Sequence, residues 1–249
     1  MKHTKLELVS FENGLSNKKR LELASEIINS TKSDILLFPG HTIGFVNEIE
    51  ELRQIIKNCK TEVILELEKI GSSKINNCIY RITKGEIISL NTNQIFSTSD
   101  EIHNNFELAS RLLFELEYKR YFKIKGKNLL ILQCGEINIL KNFQSKNNRV
   151  EFRLSDDSEM NAKFKNILSR TDIVLNPIHS PMGNQGKMEK RRQFLSKNKK
   201  YYFSTSNTKP GSKNLSLSSL QYAFYNQKPI KELNIYKGVN FISRVYEII

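Results

Sequence analysis

Gly126-Lys127-Asn128-Leu129-Leu130-Ile131-Leu132-Gln133-Cys134-Gly135-Glu136 is an apolar run that stops abruptly in polar, turn-forming residues. A short continuous apolar stretch bounded in this way reads as a strand buried on both faces. Residues that follow such a strand emerge at its carboxyl end, where open α/β sheets gather their ligands. A cysteine there, followed at once by glycine, presents its sulfur beside backbone N–H groups. Such surroundings favour a thiolate and offer an oxyanion site, so Cys134 is the candidate nucleophile. The plainer reading of a cysteine is a small buried hydrophobe. It is applied to Cys59 and Cys78, taken as core or near-core residues.

Working outward, the same pattern occurs twice more. Upstream, Asp34-Ile35-Leu36-Leu37-Phe38 runs into Pro39-Gly40-His41-Thr42. Downstream, Asp172-Ile173-Val174-Leu175-Asn176 runs into Pro177-Ile178-His179-Ser180. If the three strands neighbour one another in parallel, His41, Cys134, Glu136 and His179 converge on one pocket. A thiol, a histidine base and a carboxylate are chemically sufficient for acyl transfer. The alternative for each histidine is a hydrogen-bonded loop residue. The same residue types suit zinc, but their spacing matches no compact zinc motif, so no metal is expected.

The segments between these strands complete a fold class. Leu6 to Phe11 reads as a strand, and Asn17 as the N-cap of a helix carrying Leu21, Ala24, Ile27 and Ile28 on one face. Ile49, Leu52, Ile55 and Ile56 repeat at helix spacing, while Val63, Leu65 and Leu67 alternate as in a strand. Cys78 to Ile82 and Glu86 to Leu90 flank Lys84-Gly85 as a hairpin. Phe106, Ala109, Leu112, Leu113 and Leu116 mark a long amphipathic helix. Phe122 to Ile124 pairs with the decisive strand around Lys125-Gly126-Lys127. Phe143 to Ser158 reads as polar loop, as does Thr42 to Asn47. Met160, Phe164, Ile167 and Leu168 form a further helical face, and Lys187 to Lys197 a charged helix. Tyr201 to Ser206, Tyr222 to Tyr225 and Asn240 to Tyr246 are the last strands. This succession predicts a layered α/β sandwich with mixed sheets, in a single domain over residues 1–249 with no internal linker or repeat.

Composition narrows the function. The chain has 249 residues, 39% of them apolar, and no apolar run approaches the roughly 20 residues that span a bilayer. The N-terminus shows no signal-peptide pattern. Its three cysteines, an odd number at long spacings, predict a reducing, cytoplasmic setting. The net charge of +13 raises nucleic acid as a partner. The excess is spread along the chain, which favours a general bias over a binding face. The one concentrated stretch is Lys187 to Lys200, with Phe194, Tyr201 and Tyr202 interleaved. No glycine-rich nucleotide loop is present, so no nucleotide cofactor is expected.

Taken in order, Asp34–Pro39, Gly126–Glu136, Asp172–Pro177, Arg191-Arg192 and Tyr201–Asn207 resemble the nitrilase, or carbon–nitrogen hydrolase, superfamily over nearly the whole chain. The resemblance implies an α-β-β-α sandwich, a homodimer and hydrolysis of a small-molecule amide or related C–N bond. In that family a Glu acts as base, a Lys steadies the tetrahedral intermediate and a Cys carries the acyl group. The resemblance matches the Cys to Cys134. The family's Glu position is Gly40 here, and the Lys position falls near Asn93-Gln94. Two readings follow: an enzyme with rebuilt chemistry drawing on His41, His179 and Glu136, or a non-catalytic relative that keeps the fold and binds a ligand or partner.

Overall fold

Alternation along β1 (Thr4–Phe11) sets up the layers: Leu6 and Leu8 point to one side, Val9 and Phe11 to the other. The computed structural model describes residues 3–69, 76–143, 149–181, 183–209 and 217–249. In it β1 lies inside an eight-stranded sheet with β2 (Ile35–Leu37), β4 (Glu62–Lys69), β5 (Asn76–Thr83) and β6 (Glu86–Asn93) on one side. On its other side lie β16 (Phe241–Ile248) and the edge strand β15 (Asn234–Gly238), while β3 (Ile43–Phe45) pairs with β4. The second sheet has six strands, in the order β14 (Lys228–Pro229), β13 (Gln221–Tyr225), β12 (Tyr201–Ser206), β11 (Ile173–Ile178), β8 (Lys127–Ile131), β7 (Tyr121–Ile124). β1, β2 and β4 run parallel, as do β8, β11 and β12, and the flanking pairs are antiparallel.

The two sheets bury a shared layer that includes Leu8, Leu37, Ile64, Ile131, Leu175 and Phe203. Helices α1 (Asn17–Ser30) and α2 (Val46–Ile55) cover the outer face of the first sheet. Helices α3 (Phe106–Tyr118), α4 (Ser158–Ser169) and α5 (Gln185–Leu195) cover that of the second. The result is an α-β-β-α sandwich with mixed sheets. Burial on both faces explains why β2, β8 and β11 read as continuous apolar runs. Each such Leu or Ile contributes roughly 1.5–3 kcal/mol when fully buried. Both hairpins expected from Lys-Gly pairs form. Lys84 and Gly85 have φ of 52° and 82°, and Lys125 and Gly126 have 51° and 83°, the left-handed pair that a tight two-residue hairpin turn needs. Among the described residues no helix is long and apolar enough to cross a membrane.

Several local expectations change. Ser16, not Asn17, caps α1, its hydroxyl accepting from Lys19 N at 3.2 Å. Asn17 is instead the first helical residue, with its side chain on Arg20. Pro177 does not end its strand. β8 pairs with β11 only as far as Leu175. Beyond that point β11 keeps β12 as its one partner strand, and the missing proline N–H breaks no ladder bond on the vacated side. Part of the expected loop after Phe143 is strand β10 (Arg149–Phe152), paired with β9 (Leu140–Phe143). Cys59 is exposed rather than near-core, whereas Cys78 is buried. Tyr201 and Tyr202 are in the core and Phe194 packs against it, so these rings are not stacking surfaces for bases.

Candidate active site

Strands β2, β8 and β11 deliver His41, Cys134 and His179 from their carboxyl ends. β2 lies in one sheet, β8 and β11 in the other, so the residues meet across the sandwich and not along one sheet. Gly40 N donates to Ile178 O at 3.0 Å, a backbone bond joining the two sheets at this point. Asn207, just past β12, donates to Gly40 O at 2.8 Å and accepts from Phe11 N at 3.3 Å. His41 takes the left-handed conformation, φ 58°. Its carbonyl accepts from the Arg20 guanidinium, which Glu68 holds at 3.1 Å.

The group that organises the site is Glu66, which reading the sequence missed. It sits mid-strand in β4, fully buried, on the face that looks toward the second sheet. One carboxylate oxygen accepts from His41 N at 2.9 Å and meets His179 Nε2 at 2.7 Å. The other accepts from Gln133 Nε2 at 2.8 Å. Gln133 Nε2 also donates to Asn77 O, and these two acceptors set which way the Gln133 amide points. The available signal was the run Val63-Ile64-Leu65-Glu66-Leu67. Ile64 and Glu66 share a face, and an apolar partner on both faces marks a strand with no solvent side. An acid there must be paired.

A Glu66 carboxylate oxygen lies beside Gly40. A Cβ at Gly40 would lie 2.1 Å from His179 Cδ2 and 3.1 Å from Glu66 Oε1. The space beside position 40 is therefore filled by the imidazole and a carboxylate from the neighbouring strand. Near the expected lysine position, Gln94 belongs to a hydrogen-bonded chain. His41 Nε2 bonds Asn77 Oδ1 at 2.8 Å, and Asn77 Nδ2 donates to Gln94 Oε1 at 3.0 Å.

Charge follows from this geometry. Burial alone would lower the His179 pKa, but the Glu66 carboxylate and hydrogen bonds to Cys134 and Glu66 overcome it and raise it to about 10. Burial would likewise raise Glu66, yet His179 and His41 together with the Gln133 hydrogen bond hold it below the usual carboxylate range. His41 goes the other way. Burial and the neighbouring His179 charge lower its pKa, and the two rings stack with centroids 3.8 Å apart. At neutral pH the set is thus a carboxylate, an imidazolium and a neutral imidazole. Cys134 is near enough to His179 to help raise its pKa, so a carboxylate, an imidazole and a thiol are grouped at one place. Cys78 is not part of it: burial and Glu66 push its thiol up to about 11.

Glu136 takes a different place from the one expected. Its oxygens bond Ile95 N at 2.7 Å, Gln133 N at 2.9 Å and the fully buried Arg120 guanidinium. It caps the 3-10 turn Cys134–Ile139 and so shapes the backbone that carries the sulfur. Gly135 is required in that turn, because a Cβ would lie 1.9 Å from Ser97 O. Ligand atoms of His41, Glu66 and His179 lie within 4.8 Å of one another, close enough to consider a metal. However, two stacked imidazoles do not aim lone pairs at a common point, and the donor contacts above already engage both Nε2 atoms. A cavity of about 300 Å³, lined by Arg20, His41, Glu68, His179, Ser180 and Asn207, opens over the imidazole pair.

No protein-family model and no curated protein matches the sequence. Solved structures do match the fold. A CN-hydrolase superfamily protein from Xanthomonas campestris, with an arsenic adduct in its active site, superposes with TM-score 0.56 at 11% identity, over 98% of this chain and 91% of that one. An amidase from Nesterenkonia sp. gives TM-score 0.59 at 12% identity, over 99% and 90%. The chain has the carbon–nitrogen hydrolase fold. A glutamine-dependent NAD(+) synthetase from Cytophaga hutchinsonii matches with TM-score 0.55 at 12% identity, over 99% of this chain and 43% of that one. At such identities the likeness concerns the fold, and what a carbon–nitrogen hydrolase fold does must be argued from its site.

Proposed function

We propose that the chain is a cysteine-dependent hydrolase of small amides or related C–N bonds, in which Cys134 is the nucleophile, His179 the proton carrier and Glu66 the group that orients and charges His179. The Glu66–His179 pair, 2.7 Å apart, with Cys134 beside it at the end of β8, carries this reading. A thiolate is the reacting form of any cysteine nucleophile, and a half-buried imidazolium beside it is both counter-ion and proton source. The sulfur attacks the amide carbonyl carbon, and the C=O π pair moves onto oxygen. Collapse breaks the C–N bond, the departing amine takes the His179 proton, and a thioester remains. Water then gives a proton to the now neutral His179 as its oxygen attacks the thioester. Collapse expels the thiolate, releases the acid and restores the imidazolium. A cysteine-to-alanine mutant of the structurally similar Nesterenkonia amidase has been seen in complex with butyramide, which suits a small aliphatic amide as first substrate to try.

In this reading His41 is a positioning residue, neutral and stacked on His179, and Glu136 is a positioning residue for the turn. A homodimer belongs to the same reading by family resemblance and a cytoplasmic setting by cysteine usage, and sedimentation would check the dimer. The deciding experiment is alkylation of the native protein by iodoacetamide against pH, located by mass spectrometry. Cys134 labelling faster than exposed Cys59, and lost in His179→Gln, is the expected result. Labelling of Cys134 slower than Cys59 at every pH would instead favour a non-catalytic relative.

A further inference from the structure

Beside the catalytic turn lies a second cavity, of about 420 Å³, lined by Ser99, Asn138, Lys141, Arg153, Lys187 and Arg191 among others. Arg191 is only 7% exposed. Its guanidinium donates to Asn142 Oδ1 at 2.9 Å and Asn138 Oδ1 at 2.7 Å, both neutral acceptors. Arg153 donates to the Asn138 and Leu140 carbonyls, again neutral. Among the described residues neither guanidinium has a carboxylate within ion-pair distance, although other arginines of the chain do, such as Arg20, Arg81 and Arg120. The acid whose charge acts on Arg153 is Asp100, which does not line the cavity.

Burial and the repulsion of Arg153 lower the Arg191 pKa to about 10. A solvated basic face would keep its charges apart and in water. Here a buried guanidinium shares Asn138 with a second one, and Lys141 and Lys187 stand at the same opening. Lys187 comes from the first turn of α5, whose amino end adds its positive dipole. Guanidiniums suit planar, bidentate recognition of carboxylate or phosphate. Asn138 lies in the same 3-10 turn as Cys134, four residues on, or roughly 8 Å at 2 Å per residue.

We propose that this cavity binds the oxyanionic end, phosphate or carboxylate, of a small molecule, with Arg153 and Arg191 on its floor and Lys141 and Lys187 at its rim. The anion reaches the site either as part of the molecule that reacts at Cys134 or as a separate ligand. The inference does not require Cys134 to be catalytic, so the two readings fail separately.

The test is titration calorimetry of the full chain with inorganic pyrophosphate, at low and moderate salt. Saturable binding of one anion per chain is expected, weakening as salt rises. Lys141→Gln/Lys187→Gln removes two cations at the rim without disturbing the core, and should weaken binding about tenfold or more, as expected for losing a charge-assisted hydrogen bond. Arg191→Gln should abolish it, with circular dichroism confirming the fold. Lys165→Gln/Lys190→Gln, in the adjacent basic groove, should leave it unchanged. No saturable binding, or equal loss in both double variants, would overturn the proposal. With binding established, saturating pyrophosphate separates the two sources. Protection of Cys134 from iodoacetamide assigns the anion to the reacting molecule, and unchanged labelling assigns it to a separate ligand.

Discussion

Replacing Glu66 with Gln removes one charge and almost no volume from the centre of the site. The His179 Nε2 to Glu66 Oε1 distance is 2.7 Å, at which two unit charges attract by ~6 kcal/mol at an effective dielectric of about 20. The rise of His179 from 6.5 to about 10 is a net preference for the imidazolium of ~5 kcal/mol, at about 1.36 kcal/mol per pH unit. The two magnitudes agree once the burial penalty is set against the attraction. In Glu66→Gln the attraction is gone and burial remains. His179 should then titrate at or below its ordinary value and be mostly neutral at pH 7.5. The assay is proton–carbon NMR of ring-labelled histidine. The chain has four histidines, and His179→Gln identifies the resonance. Amide turnover or Cys134 labelling should fall about 100-fold or more, within the range for loss of acid–base assistance. A His179 resonance that still titrates above pH 9 in Glu66→Gln would refute the reasoning, because the proton would then be held by something other than the carboxylate.

The same pair should shape stability against pH. His179 has a folded pKa above its unfolded value, so its contribution is complete below about 6.5 and is lost as pH rises through about 10, with a slope up to ~1.4 kcal/mol per pH unit. Thermal melts of the wild type should fall more steeply across that window than those of Glu66→Gln. Parallel curves would count against the pairing. Gly40→Ala puts a Cβ 2.1 Å from His179 Cδ2, and should cost about 1–3 kcal/mol by overpacking while slowing Cys134 labelling at least tenfold. Unchanged labelling would show that the imidazole has room to move. Glu136→Gln breaks the buried pair with Arg120 and should destabilise the chain by about 3–5 kcal/mol in chemical denaturation. A loss of activity without loss of stability would return Glu136 to the chemistry. Chelator treatment should leave Cys134 labelling unchanged, and one tightly held zinc per chain, found by elemental analysis, would replace the proton-carrying reading with a metal centre.

How much of this was legible in the residues depends on range. Periodicity and turn chemistry are local. The apolar runs Ile35–Leu37 and Leu129–Ile131, the Lys84-Gly85 and Lys125-Gly126 hairpins and the helical face of Ala109, Leu112, Leu113 and Leu116 were readable because strand burial, left-handed turns and 3.6-residue repeats act within a few positions. So was the location of Cys134, His41 and His179 at strand ends, since a strand that stops in polar residues displays them whatever it packs against. Short elements that exist only through pairing were not readable. β3 and β10 are only three and four residues long, too short for alternation to stand out, and β15 is exposed along its length; each is a strand because a neighbour offers its edge.

The pairing of charges was decided by tertiary structure alone. Glu66 lies amid apolar neighbours and Glu136 in a polar turn, and nothing adjacent to either in the chain says which will meet a histidine. The facing of the two sheets sets Glu66 against His179, 113 positions away. The turn after β8 sets Glu136 against Arg120. A sequence determines which side chains alternate to a buried face, because that is backbone geometry. Which buried charge finds which partner is fixed only when the sheets close and exclude the water that would otherwise have solvated both.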